Sequence, residues 1–93
     1  MHKFEIEEKL HQILKKLSRK DKNRYEIIWK KINEIINSSD IEHYKNLKFP
    51  MSEFKRVHID KSFVLVFKCN KRDDKVKFYD LDHHDKIYKK RFE

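Results

Sequence analysis

The chain has no glycine and only one proline and one cysteine, so several common structural devices are scarce. Without glycine, a glycine-rich phosphate-binding loop cannot form, and turns must rely on Asn, Asp and Pro50. A single cysteine cannot form an internal disulfide or a zinc site built on paired cysteines. Because Cys69 lies among strand-forming residues, we predict that it is a buried core thiol, as suits a reducing compartment.

Long apolar runs are also missing from the sequence. No stretch approaches the roughly 18 apolar residues that a membrane-spanning helix needs, and the first residues lack the hydrophobic region of a signal peptide. We therefore expect a cytoplasmic protein with no membrane partner. We expect one domain over residues 1–93, whose single modest core leaves no enclosed cofactor cleft and places function on an open face without a cofactor.

Charge is abundant, and its balance is positive. The chain has 24 Lys and Arg residues against 16 Asp and Glu, a net charge of +8. Residues 1–40 hold ten basic against seven acidic residues (+3), and residues 41–93 hold fourteen against nine (+5) with four of the six histidines. Such a field is typical of proteins that bind nucleic acid or an anionic membrane surface. We favour nucleic acid, docked on the second half of the chain.

Hydrophobic spacing predicts a strand and two helices in the first part of the chain. Apolar and charged side chains alternate over residues 4–6, which indicates a short strand. Apolar residues then recur every three or four positions over 7–17 and again over about 20–37, which indicates a helical hairpin. The Ser-x-x-Asp sequence at 18–21 predicts the start of the second helix, and a similar Ser-x-x-Glu sequence at 39–42 predicts a further helical turn.

The apolar period changes to two in the second half, which predicts three strands. Residues 54–60 alternate, residues 63–67 are continuously apolar like a central strand buried on both faces, and residues 76–81 follow a turn at 70–74. A short C-terminal helix is expected over 85–92. The predicted fold is therefore α+β, with the order β-α-α-β-β-β-α, in which an N-terminal strand and a helical hairpin pack on a small antiparallel sheet.

Two imidazoles and one aromatic ring are the candidates for chemistry. His58 shares a strand face with Arg56, and an imidazole beside a guanidinium suits a phosphate. His84 precedes Tyr88 by four positions, so on a helix both would lie on one face and could flank a nucleotide. The simpler alternative is a solvated basic strand, with Tyr88 packing the last helix on the sheet. The spacing of His83, His84 and their neighbouring aspartates matches no standard metal site, so we expect no metal.

The sequence resembles the RelE/ParE superfamily of toxins of toxin–antitoxin systems, most closely its YafQ-like branch. The resemblance is carried by the strand sequence at 54–60, the run at 63–68 and the ending at 79–88, in which an imidazole stands four residues before an aromatic. It implies the RelE-like fold and a ribosome-dependent endoribonuclease that cuts mRNA in the A site without metal, through attack by the 2′-hydroxyl. It also implies a RelB-like antitoxin as partner, in a higher-order toxin–antitoxin complex.

Carried over residue by residue, the resemblance implies a set of site residues. His84 matches the general acid, Tyr88 the stacking aromatic and His58 a strand histidine that acts as base or phosphate contact. Lys55 matches a basic position of the wider family, and Arg56 is added because it shares the face of His58. The residues expected to bind RNA are Lys45, Lys48, Phe63, Lys89 and Arg91.

The sequence departs from the family pattern at four positions. Lys45 stands where the YafQ-like branch has a histidine, and Ser62 stands where it has an acidic residue. Phe63 replaces a tryptophan, and Val64 lies where other RelE proteins carry a catalytic arginine. The identity of the base is therefore open. Two alternative functions also stay open, a ParE-like inhibitor of DNA gyrase and an RNA-binding homologue that has lost catalysis.

Overall fold

The computed structural model describes residues 1–92 and has the α+β architecture that the sequence predicts. The described part contains four strands, three α-helices and one short 3-10 helix at Ile41–His43. In chain order the main elements are β1 (Lys3–Ile6), α1 (Glu8–Lys20), α2 (Lys22–Ile36), β2 (Lys55–Ile59), β3 (Phe63–Asn70), β4 (Lys75–His83) and α3 (His84–Ile87).

The four strands form one sheet in the order β1-β4-β3-β2. Strands β2, β3 and β4 make the predicted antiparallel meander, and β1 adds to its edge. Strand β1 runs parallel to β4, with Phe4 opposite Val76, so the complete sheet is mixed. Alternation along a strand shows which residues share a face, but it carries no information on strand direction.

Strand β3 is buried on both faces, as its continuous apolar run predicts. Leu65 and Phe67 point toward the helical hairpin of α1 and α2 and belong to the main core. Val64 and Val66 point to the opposite face, where α3 covers them. The second face has its own small apolar cluster, which consists of Leu47, Phe54, Val64, Val66 and Ile87. This second face of the sheet carries the candidate site.

The turns of this glycine-free chain use aspartate where glycine is common. Asp60, between β2 and β3, has φ of 56°, and Asp74, between β3 and β4, has φ of 50°. Aspartate tolerates this left-handed region better than most residues with a Cβ atom. The expectation that Asn and Asp build the turns is therefore confirmed at both positions. Cys69 is half-buried beside the main core, and burial raises the pKa of its thiol.

The boundary between the first two helices differs from the prediction. Helix α1 continues past Ser18, whose hydroxyl donates to the carbonyl of Lys15. The cap of α2 is Asp21, whose carboxylate accepts a hydrogen bond of 3.1 Å from the backbone N–H of Arg24. A serine inside a helix can bond to the preceding turn, whereas a carboxylate at the first turn also meets the positive end of the helix dipole. The predicted cap at Ser18 was therefore wrong.

Two further helical predictions need correction. The turn at 39–42 becomes the 3-10 helix, and the side chain of Asp40 makes no capping hydrogen bond. The C-terminal helix is only four residues long, and the chain beyond it is held by tertiary contacts instead. The ring of Phe92 packs 5.4 Å from that of Phe54, and its N–H donates to the sulfur of Met51. These contacts outweigh the helical pattern of the segment.

Candidate nucleic-acid interface

Helix α3 lies across the second face of the sheet and brings two predicted site residues together. Ile87 is fully buried in the cluster with Val64 and Val66, which fixes the helix over β3. The next residue, Tyr88, lies against Arg56 of β2, with the guanidinium carbon 5.8 Å from the ring centre. This separation is within the range of a cation–π interaction. The structure therefore joins the middle of β2 to the end of α3.

A groove of about 520 Å³ opens between α3 and the loop of residues 46–51. We call it the basic groove, because four of its lining residues are cationic and, among the residues that the structure describes, no carboxylate lines it. Two of its residues are exposed aromatics. The lining consists of Asn46, Leu47, Lys48, Phe49, Pro50, Met51, Arg56, Ile87, Tyr88, Lys90 and Arg91.

The two candidate imidazoles lie on the elements that meet at this groove, but neither lines it. His58 is exposed on β2, two residues beyond Arg56 and on the same face, a spacing of roughly 7 Å along a strand. His84 begins α3; its backbone N–H donates to the carbonyl of Ser62 at 2.9 Å. Its Nδ1 atom lies 3.1 Å from a carboxylate oxygen of Asp85. Both rings are accessible to a bound substrate.

Lys90 anchors the segment that follows Tyr88 to β4. Its ammonium lies 2.7 Å from Asp80 and 2.9 Å from Asp82, and the ammonium of Lys9 lies 3.2 Å from the same Asp80 oxygen. Burial opposes the charge of Lys90, but its hydrogen bonds to the two carboxylates outweigh burial and raise its pKa. Burial likewise opposes ionisation of Asp82, yet the bonds from Lys90 and a backbone N–H lower its pKa. Both shifts favour the charged forms of Lys90 and Asp82.

The structure contradicts the assignment of Lys55 to the catalytic set. Its side chain is only 6% exposed and points away from Arg56, toward the main core. Its ammonium donates to the carbonyl of Tyr44 at 3.1 Å and to the side-chain oxygen of Asn46 at 3.0 Å. A buried ammonium with these partners is satisfied internally. Lys55 therefore ties the segment before the basic groove to β2 and presents no charge to a ligand.

Phe63 also lies on the wrong face for the predicted role in RNA binding. Its ring packs on the helix side of the sheet, where the guanidinium of Arg24 lies 4.3 Å from its centre. The centre of the His83 ring lies 4.4 Å from that of Phe63. Phe63 is therefore a packing residue, and its partner His83 lies apart from the Tyr88 side of the sheet.

The other predicted RNA-binding residues divide into two groups. Lys48 and Arg91 line the basic groove, while Lys45 and Lys89 are exposed outside it. Of the charged and aromatic lining residues, two were not predicted from the sequence, Phe49 and Lys90. Asp80 and Asp82 lie on one face of β4 and indicate that a cation packs there. The sequence spacing does not show that this cation is Lys90. A lone aromatic in a loop, such as Phe49, gives no periodic signal at all.

Within residues 1–92, no three His, Cys, Asp or Glu side chains are gathered closely enough to hold a metal ion. The helices of the same region are all too short or too polar to cross a bilayer.

Comparison by sequence identifies close relatives, although no protein-family model matches the chain. A protein of Methanocaldococcus jannaschii named "Putative toxin RelE4" is 52% identical over 91 residues, which cover 98% of this chain and 95% of the relative. An uncharacterized protein of Methanosarcina mazei is 47% identical over 88 residues, which cover 95% of this chain and 100% of the relative.

Comparison by structure finds the same fold in solved toxins. A metal-bound toxin from Helicobacter pylori matches with a TM-score of 0.73 at 19% identity, over 94% of this chain and 99% of that one. The isolated RelE toxin of E. coli matches with a TM-score of 0.67 at 19% identity, over 96% of this chain and 93% of that toxin. A chain of the E. coli RelBE toxin–antitoxin complex matches with a TM-score of 0.69 at 19% identity, over 89% of this chain and 96% of that one.

Architecture and relatives together define the class of the protein as a small, basic α+β domain of the RelE type. The chain belongs to the RelE superfamily of toxins, which confirms the resemblance to that superfamily.

Proposed function

We propose that the protein is the toxin of a toxin–antitoxin system and an endoribonuclease that cleaves mRNA in the ribosomal A site. The observation that carries this proposal is the contact of Arg56 with Tyr88 inside the basic groove. Sites for single-stranded nucleic acid combine cations that follow the phosphates with aromatic rings that stack on bases. The basic groove has both kinds of group, and the exposed imidazole of His84 lies one helical turn before Tyr88.

The proposed reaction needs no group from outside the RNA and the protein. The 2′-oxygen of one nucleotide attacks the adjacent phosphorus, and the bond to the 5′-oxygen of the next nucleotide breaks. The products are a 2′,3′-cyclic phosphate and a free 5′-hydroxyl. One proton leaves the attacking 2′-hydroxyl and one is delivered to the leaving 5′-oxygen. The protein must therefore supply proton transfer, charge stabilisation and in-line alignment.

Arg56 is suited to charge stabilisation, and Tyr88 is suited to in-line alignment. The guanidinium of Arg56 can donate two hydrogen bonds to phosphoryl oxygens, where negative charge develops in the transition state. The ring of Tyr88 can stack on an unpaired base and hold its nucleotide away from its neighbour, so that the 2′-oxygen lies in line with the leaving group. Their contact supports a shared role at one nucleotide step.

His58 and His84 are the proposed proton-transfer groups. His84 precedes Tyr88 by one helical turn, so its imidazole faces the nucleotide that Tyr88 stacks and delivers a proton to the 5′-oxygen. His58 follows Arg56 on the same strand face and acts as the base or as a second phosphate contact. Imidazole is suited to both roles, because its ordinary pKa lies close to neutral pH.

Dependence on the ribosome follows from the open shape of the site. To align a flexible substrate, the basic groove has only two exposed aromatics and the cations Lys48, Arg56 and Arg91, since Lys90 is bound to Asp80 and Asp82. The two imidazoles lie outside its lining. An mRNA already held in the A site arrives with its backbone ordered, so less conformational entropy opposes the reactive geometry. We expect naked RNA to be cleaved poorly.

The proposal includes a cognate antitoxin of the RelB type. An acidic segment of such a partner would complement the groove, whose lining in the described part of the chain has no carboxylate and has the cations Lys48, Arg56 and Arg91 besides the internally paired Lys90. The E. coli RelBE complex shows a protein of this fold bound to an antitoxin. We propose that occupation of the groove blocks access to RNA and that the complex assembles as a higher-order oligomer.

The test is to incubate the purified protein with ribosomes programmed with a defined mRNA and to map the new ends by primer extension. We expect A-site cuts with 5′-hydroxyl ends, and far fewer cuts without ribosomes. A parallel incubation of supercoiled plasmid with DNA gyrase examines the ParE-like alternative. Linear plasmid and intact mRNA would refute the proposal, and so would binding to ribosomes without any cut.

A further inference from the structure

The loop of residues 46–51 carries an aromatic ring that is almost fully accessible. Phe49 is 88% exposed, although phenylalanine is a residue that proteins usually bury. Only three aromatic side chains are exposed in residues 1–92, namely Phe4, Phe49 and Tyr88. Two of these three line the basic groove, one from each wall. Phe49 is therefore placed where a ligand in the groove would cover it.

The surroundings of Phe49 indicate what kind of ligand that is. Lys48 precedes it in the loop, and the opposite wall contributes Arg56, Lys90 and Arg91. Lys90 is already paired with Asp80 and Asp82. An apolar protein segment, however, would bury Lys48, Arg56 and Arg91 without supplying opposite charges, which is costly once they are desolvated. A single-stranded polynucleotide meets both needs, since its phosphates neutralise cations while its bases stack on rings.

We propose that Phe49 is a second base-stacking residue, which holds the unpaired RNA base next to the one stacked on Tyr88. This inference rests on the proposed function and adds a specificity determinant to it. Phenylalanine has no side-chain hydrogen-bonding group, so it cannot read the edge of a base. It distinguishes bases by stacking strength alone, which makes a purine the preferred base at this position.

The experiment measures kcat/KM for cleavage on ribosomes programmed with two mRNAs that differ only by A or U at the nucleotide next to the cut. Phe49→Leu keeps the apolar volume and removes the π face. It should lower kcat/KM by about 5- to 100-fold on the A message, the loss expected for one stacked base, and by less on the U message. Phe49→Trp should restore the activity and the preference for A. Phe4→Leu, at the exposed ring outside the groove, is the matched control and should leave kcat/KM within about twofold.

The outcomes separate this inference from the proposed function. If Phe49→Leu cleaves both messages as fast as the wild type does, the role of Phe49 is wrong and the proposed function stands. Equal losses on both messages without rescue by Phe49→Trp would indicate a merely structural loop residue, and would also overturn the inference. If the wild type fails to cleave either message, the proposed function itself fails. Thermal unfolding of each variant shows whether the fold is retained.

Discussion

The guanidinium carbon of Arg56 lies 5.8 Å from the centre of the Tyr88 ring. This contact links the second strand of the sheet to the residue that ends α3, and it lies in a groove rich in positive charge. Sequence spacing pairs His58 with Arg56 and His84 with Tyr88, but it cannot join the two pairs across the fold. The Arg56–Tyr88 contact joins them, and the account of function depends on it.

The first prediction concerns the cation of this pair. Arg56→Ala should lower kcat/KM for ribosome-dependent cleavage by about 100-fold, the loss typical of removing one donor from a developing negative charge. Arg56→Lys should recover part of the rate, because a lysine keeps the charge but not the planar pair of donors. Arg72→Ala removes an exposed arginine from the turn between β3 and β4 and is the matched control. An Arg56→Ala variant as active as the control would exclude Arg56 from the site.

The second prediction separates Lys55 from its neighbour. Lys55→Met should lower the free energy of unfolding by about 1–3 kcal/mol, because the buried carbonyl of Tyr44 and the side-chain oxygen of Asn46 lose their donor. Cleavage per folded molecule should fall much less than in Arg56→Ala. Chemical unfolding and single-turnover cleavage measure the two quantities. Unchanged stability together with lost cleavage would return Lys55 to the catalytic set.

The third prediction concerns the anchor of the C-terminal segment. Lys90→Met leaves the carboxylate of Asp80, which is 1% exposed, with Lys9 as its remaining ammonium partner. We expect a loss of about 1–3 kcal/mol in the free energy of unfolding and faster amide hydrogen exchange beyond Ile87. Lys86→Met changes an exposed lysine of α3 and provides the comparison. Equal exchange rates in the two variants would show that the anchor does not order the segment.

The fourth prediction is a pH dependence that comes from His2. One ring nitrogen bonds to the carboxylate of Asp74 and the other to the carbonyl of Ser38, so both nitrogens must carry hydrogen. The bonds to Asp74 and to Ser38 raise the pKa of His2 above 6.5, against a small opposing effect of burial. A raised histidine pKa stabilises the fold fully below pH 6.5, and this stabilisation is lost as the pH rises through the higher pKa of the folded protein.

Denaturant unfolding at a series of pH values measures this contribution. The wild type should lose stability relative to His2→Gln as the pH rises from 6 toward 8. The difference should be greatest on the acidic side, where the imidazole is charged in both states. Parallel stability curves for the two proteins would show that the His2 bonds add nothing.

Much of the fold could be predicted because its determinants are periodic. The continuous apolar run from Phe63 to Phe67 identifies the central strand, and helical spacing identifies α1 and α2. Element ends depend on single side-chain bonds that compete over a few residues. Ser18 and Asp21 both suit a helix start, and only the structure shows that Asp21 caps α2.

The candidate site was predictable only in part, for a different reason. Alternation along β2 separates Lys55 from Arg56 correctly, but it does not show that the Lys55 side faces the main core. The same limit explains the error at Phe63. Phe49 belongs to a loop without a repeating pattern, and Lys90 lies beyond α3 in a segment whose helical pattern is overridden by tertiary contacts. The place of both residues in the basic groove therefore depends on tertiary contacts.

The rate of A-site cleavage by Tyr88→Ala, compared with the wild type and with Tyr88→Phe, tests the central claim most directly. The account predicts that the wild type leaves 2′,3′-cyclic phosphate and 5′-hydroxyl ends. Tyr88→Phe, which keeps the stacking face, should retain most of the rate, and Tyr88→Ala should lose about tenfold or more. Cleavage by Tyr88→Ala at the wild-type rate, with the same ends, would contradict it.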